Sequence, residues 1–311
     1  MPSDSSILSD GLYMRTNTAL DAYLQPRLKA IEQALDQWLP APGAHPRQLP
    51  EAMRYATLDG GKRLRPMLCI AAAEAVGSTM QQVLPTACAL ELIHAFSLVH
   101  DDLPALDNDT LRRGKPTCHV QFGEAIAILA GDALFAHAFH LIALQAEHSP
   151  AERVVRVLQL IADATGVDGM VGGQVEDILS EHEPVSPATL AYIHSRKTGA
   201  LIRASVLSGA ILGGATPEAE QALHAYGTAL GLAFQIVDDI LNETGDPARL
   251  GKATGTDRAR QKATYPRLYG LDASRARAQQ ELQNALDALK PFGAEANPLR
   301  WLAHYIVERE Q

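Results

Sequence analysis

HDDLPALDNDTLRRG, residues 100–114, crowds Asp101, Asp102, Asp107 and Asp109 into nine positions, then sets Arg112 and Arg113 beside them. The apolar run ELIHAFSLV (91–99) leads into this stretch. Two carboxylates about 4 Å apart repel by about 4 kcal/mol at an effective dielectric of 20. Such a cluster persists where protons or multivalent cations neutralise it. Its all-oxygen donor set suits a hard cation such as Mg²⁺, which keeps several waters and bridges to phosphate. A calcium loop is excluded. Counted from Asp107, its glycine and glutamate positions hold Arg112 and Cys118.

The cluster has a counterpart in FQIVDDILNETGD, residues 234–246. Asp238 and Asp239 again end an apolar helical run. Asn242 lies one turn beyond Asp238 and Glu243 one turn beyond Asp239, so each pair shares a helix face. In the first segment Asp107 is out of phase with Asp101, and Pro104 between them removes a backbone bond. The helix is therefore expected to break after Leu103, with the next loop returning Asp107 toward Asp101. Two acid-tipped helices can then face each other across a cavity that holds several Mg²⁺ ions, and a diphosphate fits between the metals.

The surrounding pattern is helical from about residue 18 to the end. Period-two alternation is not sustained, and punctuation such as PAPGAHP (40–46) and GGATP (213–217) falls at helix-sized intervals. These features predict an all-α single-domain bundle over residues 18–311, with residues 1–17 as a disordered N-terminal extension. The run 125–144 approaches membrane-span length but contains Asp132, His137 and His140. A buried core helix is the expected reading, so the chain is not expected to be membrane-embedded.

Basic residues form a complementary set. GGKRLRP (60–66) places Lys62, Arg63 and Arg65 at a helix start, where the dipole favours anions. RKTG (196–199) adds Arg196, Lys197 and Thr198, and LGKATG (250–255) adds Lys252. Together with Arg112 and Arg113 they suggest two anion subsites, one metal-bridged and one purely basic. A net charge of -9 argues against a nucleic-acid partner. Cys69, Cys88 and Cys118 are spaced for neither a disulfide framework nor a zinc site, and suggest core thiols in a reducing, cytoplasmic compartment.

These motifs, in this order, resemble the short-chain trans-prenyl diphosphate synthases, most closely the bacterial farnesyl diphosphate synthases. The resemblance rests on GGKRLRP, LIHAFSLVHDDLPALDNDTLRRGKPTCH (92–119), GGQVEDI (172–178), KTG (197–199), FQIVDDILNETGD and LGKATGTD (250–257). It implies a bundle of mostly antiparallel helices around a central cavity, usually as a homodimer. It implies head-to-tail condensation of dimethylallyl or geranyl diphosphate with isopentenyl diphosphate to give farnesyl diphosphate. The cofactor would be Mg²⁺, with Mn²⁺ as an alternative.

By the same resemblance, Asp101, Asp107 and Asp238 would ligate metal, with Asp102 in support, and Lys197 would join these aspartates in catalysis. Arg112, Lys197, Thr198, Gln235 and Lys252 would hold the allylic diphosphate. Lys62, Arg65, His94 and Arg113 would hold that of isopentenyl diphosphate. Two positions depart from the family pattern: Asn242 stands where aspartate is usual, and Thr110 follows Asp109. Phe96 and Ser97, one to two turns before Asp101, would set product length. A bulky Phe96 favours the farnesyl product, and a geranylgeranyl product is the alternative. A terpene cyclase would lack the purely basic subsite. An inactive regulatory subunit would have lost an aspartate pair.

Overall fold

The computed structural model describes residues 5–58, 60–182, 186–244 and 262–308, with side chains from residue 18 onward. Helix α1 (Ser5–Trp38) begins inside the stretch expected to be an extension. It is followed by α2 (Gln48–Leu58), α3 (Leu64–Ala75) and α4 (Met80–Asp101). A short hairpin, β1 (Leu111–Arg112) with β2 (Lys115–Pro116), pairs Leu111 with Pro116 and Arg112 with Lys115. Then come α5 (Cys118–Phe122), α6 (Glu124–Leu144), α7 (Ala151–Thr165), α8 (Met170–Leu179) and α9 (Pro187–Ile193). A π-helical turn (His194–Gly199) joins α9 to α10 (Ala200–Gly213), and α11 (Pro217–Thr244) follows. The described chain closes with α12 (Tyr265–Tyr269), α13 (Leu271–Ala288) and α14 (Asn297–Val307). The fold is all-α apart from the hairpin, which no alternation in the sequence announced.

Local chemistry fixes several helix starts. Thr79 and Gln82 close a capping box on α4. The Ser186 hydroxyl accepts from the Thr189 N–H at 3.0 Å ahead of Pro187. Apolar spacing then decides how deep each helix lies. In α7 the buried residues Val154, Val157, Ile161 and Ala164 form one stripe, so this helix lies at the surface. In α10 nearly every residue is buried, so it lies in the middle, between α3 and α11. Helix α4 is equally enclosed, by α3, α6 and α10, while α13 covers the far side of α11.

One apolar cluster runs from Leu20 on α1 to Ile306 on α14. Each fully buried leucine or isoleucine in it, such as Leu90 or Ile93, contributes about 1.5–3 kcal/mol. The three cysteines are free and buried.

Helix α6 departs from expectation. It packs against α2 and α4, but its most apolar stretch is only 39% buried, and Ile128 and Leu129 are exposed. It is therefore a half-covered helix. Its open side carries Ile128 and Leu129 together with the polar Asp132 and His140, whereas neighbours cover the other side. By length and composition alone, both α4 and α6 could cross a membrane, but α4 is mostly buried in the bundle.

Candidate active site

A cavity of about 580 Å³ opens where α4, α8, the π turn and α11 meet. Asp101 and Asp107 line it from one wall and Asp238 from the other. Helix α4 ends at Asp101, two residues earlier than expected. The chain then turns back, and the Asp107 N–H donates to the Asp101 carbonyl at 2.8 Å. That bond satisfies a carbonyl the helix end leaves open and returns Asp107 beside Asp101. Asn108, at φ 48°, donates to the Leu103 carbonyl at 3.0 Å and completes the turn.

The two aspartate pairs divide their work alike. Asp102 is buried and accepts three bonds from Arg112, from Nε at 2.9 and 2.8 Å and from Nη2 at 2.5 Å. Asp239 is also buried. It accepts from the Gln235 amide at 2.8 Å and the Tyr265 N–H at 2.9 Å, with His194 Nε2 at 3.3 Å. In each pair the first carboxylate is the more open to the cavity, and the second holds the wall together. Burial lifts the Asp101 carboxyl above the ordinary carboxylate range, and Lys197 pulls the other way. A cation at this carboxylate relieves that burial cost.

The hairpin presents both arginines. Arg113 and Gly114, each at positive φ, make its tight turn. Arg112 reaches the cavity with its guanidinium already bound to Asp102, so its charge is shared with a structural partner.

Lys197 and Thr198 reach the same cavity from the π turn, which inserts one extra residue per turn into the helix. Packing there is tight: a Cβ on Gly173 of α8 would stand 2.3 Å from the Lys197 nitrogen. Thr198 donates to the Gln235 amide oxygen at 2.6 Å. The Lys197 ammonium bonds Asp177 at 2.7 Å. Burial works against that charge, but Asp177 and Asp101 hold it above the ordinary lysine range. Arg196 turns away and donates to the Asp168 carbonyl at 2.6 Å.

A second cavity of about 490 Å³ adjoins the first and shares Arg65, His94, Arg113 and Phe234 with it. Lys62 lines it, over the Tyr305 ring at 5.4 Å. Arg65 Nε and His94 Nδ1 are buried without a hydrogen-bond partner. Burial pulls the Arg65 guanidinium down to about 10. Burial, then Arg65 beside it, holds the His94 imidazole well below its usual range. An orphaned Arg65 donor at the junction, with the unpartnered His94 Nδ1 beside it, fits an incoming anion.

Arg63 and Glu91 also line this cavity, but Arg63 offers no open donor to it. Its guanidinium is sequestered by Glu32 at 2.7 Å, Glu91 at 2.7 Å and the Thr57 carbonyl at 2.7 Å. Across the loop, Arg113 donates to the Gly60 carbonyl. A Cβ on Gly61 would stand 2.7 Å from the Arg113 guanidinium, and the backbone there, at φ 124°, itself favours glycine.

Phe96 and Ser97 both line the first cavity. Phe96 leans on Phe135 at 4.9 Å between centroids, and Phe135 on Phe139 at 5.0 Å. The Ser97 hydroxyl is turned back to the His94 carbonyl at 2.8 Å. His100 packs edge-on to Phe96.

Among the described residues, no three acid, histidine or cysteine side chains converge closely enough to cage one ion. The donor set instead fits Mg²⁺ held by one or two carboxylates per wall and completed by diphosphate oxygens. Ammonium groups already stand among these acids: Lys262 bonds Asp107 at 2.8 Å and lies 3.7 Å from Asp177. Lys262, Asp177 and His194 were absent from the candidate set. Asp177 lies in the quoted GGQVEDI. Lys262 meets Asp107 across 155 positions, and no local pattern signals it. Asn242 is buried at the cavity edge one turn beyond Asp238. Lys252 lies outside the described residues.

Known proteins share this arrangement of helices. The polyprenyl synthetase family model matches residues 46–297. A dimethylallyltranstransferase of Fischerella ambigua is 48% identical, over 98% of this chain and 88% of its own length. A geranylgeranyl diphosphate synthase of Cyanophora paradoxa is 45% identical, over 95% of this chain and 98% of its own. The apo crystal structure of an FPP/GFPP synthase from Zymomonas mobilis superposes with a TM-score of 0.84. It is 38% identical and covers 93% of this chain and 99% of that one. These matches run along almost the whole of this chain, and it belongs to the polyprenyl synthetase family.

Proposed function

We propose that this chain joins isopentenyl diphosphate head-to-tail to an allylic diphosphate, dimethylallyl or geranyl. The observation that carries this is one acid-walled cavity sharing Arg65, His94 and Arg113 with a second, basic one. The allylic diphosphate lies between Asp101, Asp107 and Asp238, where Lys197 also lines the cavity. The second diphosphate lies against Lys62, Arg65, His94 and Arg113. When bound, Mg²⁺ acts as a Lewis acid that takes up charge on the departing diphosphate. Fixed cations around the leaving group stabilise that charge without reorganising. Phe96 and Phe234 keep water from the allylic cation. A cyclase has no use for the second, basic cavity, and both aspartate pairs are intact, unlike a regulatory subunit.

Product length is the finer question. Phe96 lies five residues before Asp101, about 7.5 Å along the helix axis. Its ring, backed by Phe135, favours farnesyl diphosphate. Geranylgeranyl diphosphate is the second reading, and it is the one the curated relatives' names favour, as with the Cyanophora protein. The half-covered face of α6 supports a homodimer, and the free thiols support a cytoplasmic location.

The test incubates purified chain with isopentenyl and dimethylallyl diphosphates and Mg²⁺ and sizes the products. Fifteen-carbon product supports the first reading and twenty-carbon product the second. A cyclic hydrocarbon, or no turnover, refutes both.

A further inference from the structure

Lys262 is 8% exposed and opens the stretch that leads into α12. Its ammonium donates to Asp107 Oδ1 at 2.8 Å and lies 3.7 Å from Asp177 Oδ2. Lys197 bonds that same Asp177 oxygen at 2.7 Å. Three residues beyond Lys262, the Tyr265 N–H is fixed to Asp239 at 2.9 Å. The short stretch 262–265 thus ties the Asp107 wall to the Asp239 wall. A divalent ion arriving at Asp107 meets a carboxylate already neutralised, and a positive charge that repels it.

We propose that Lys262 is the resident counter-ion of Asp107 in the metal-free chain, and that it is displaced when a divalent ion binds there. This rests on Asp107 being a metal ligand, as proposed above. The consequence is a built-in threshold: metal alone competes with an ammonium, whereas metal carrying diphosphate brings extra contacts that win. Lys262 would also be a packing residue if its charge were irrelevant, so the test must separate charge from bulk.

Mn²⁺ binding to the full chain is measured without substrate, by the loss of the free-ion spin-resonance signal. The proteins are wild type, Lys262→Gln, Lys262→Arg and Asp107→Asn, with folding checked by circular dichroism. Lys262→Gln is expected to bind Mn²⁺ about tenfold tighter or more, the low end of what a neighbouring charge does to a carboxylate. Lys262→Arg keeps the charge and is expected to bind as wild type does. Equal affinity in wild type and Lys262→Gln, with binding lost in Asp107→Asn, overturns the counter-ion alone. Binding that Asp107→Asn leaves untouched removes the metal-ligand reading itself. A second measurement needs no variant: acetylation of Lys262 in wild type, read by mass spectrometry, should rise when Mn²⁺ and inorganic diphosphate are added together. Unchanged labelling overturns the displacement.

Discussion

Asp102 and Asp239 hold equivalent places in two segments far apart in the chain: each is the second aspartate of its pair, and each is buried and bonded into its own wall. Their neighbours Asp101 and Asp238 line the cavity between those walls. The pairs therefore join one residue for chemistry to one for architecture, and the two kinds should fail differently when changed.

Asp101→Asn should keep the fold and lower turnover by roughly 10²–10³, the scale of removing one preorganised contact to developing charge. Asp102→Ala should instead strip Arg112 of its buried partner, leaving Asp109 at 3.8 Å, and cost about 3–5 kcal/mol of stability. Urea midpoints and steady-state rates on the same preparations separate the two. Equal losses of both kinds in both variants would remove the division of labour.

The arginines of GGKRLRP make a second contrast. Arg63 is enclosed by Glu32 and Glu91, so Arg63→Met strands a buried carboxylate and should destabilise by about 3–5 kcal/mol. Arg65 has an orphaned Nε, so Arg65→Met should leave stability unchanged or raised. It should raise the KM for isopentenyl diphosphate roughly ten- to hundredfold, the value of one charged hydrogen bond. Denaturation curves and KM for each substrate check both.

That contrast also marks what could be read from the chain alone. Arg63 and Arg65 were equally basic at one helix start. Only the left-handed backbone at Arg63, φ 48°, together with acids from α1 and α4, pairs that guanidinium fully and leaves Arg65 Nε open beside it. The aspartate pairs were legible because each closes an apolar run, and two such runs imply a common cavity, although α11 continues past Asp238 and Asp239 to Thr244. The return of Asp107 was legible from its phase and from Pro104, although α4 ends earlier than expected. Lys262 was not legible, because nothing near it in sequence resembles Asp107 or Asp177. The hairpin was not legible either, since two-residue strands carry no alternation.

Phe96→Ala should lengthen the product by at least one five-carbon unit, provided Phe135 does not move into the space. Phe96→Ala with Phe135→Ala should lengthen it further. Chromatographic sizing of products from geranyl diphosphate is the check. An unchanged distribution in both variants would place the length limit elsewhere in the cavity.

His94 makes stability depend on pH. Its folded-state affinity for protons lies well below the ordinary range, because burial and Arg65 disfavour the charged imidazole. Below about pH 6.5 the unfolded chain takes up a proton that the folded chain refuses. Stability should therefore fall as pH drops through that point, by at most about 1.4 kcal/mol per pH unit from this residue. His94→Gln should flatten that part of the curve. Urea midpoints from pH 7.5 to 5 for both proteins are the measurement, and equal slopes would contradict it.

The central claim is that Asp101 and Asp238 act on one diphosphate from opposite walls. Calorimetric titration of inorganic diphosphate in the presence of Mg²⁺, into wild type, Asp101→Asn, Asp238→Asn and the double variant, tests it most directly. The expected result is a loss of about tenfold or more in each single variant, with the double variant losing far less than the product of the two. Losses that multiply, or one variant that binds as wild type does, would mean that the walls do not share a ligand.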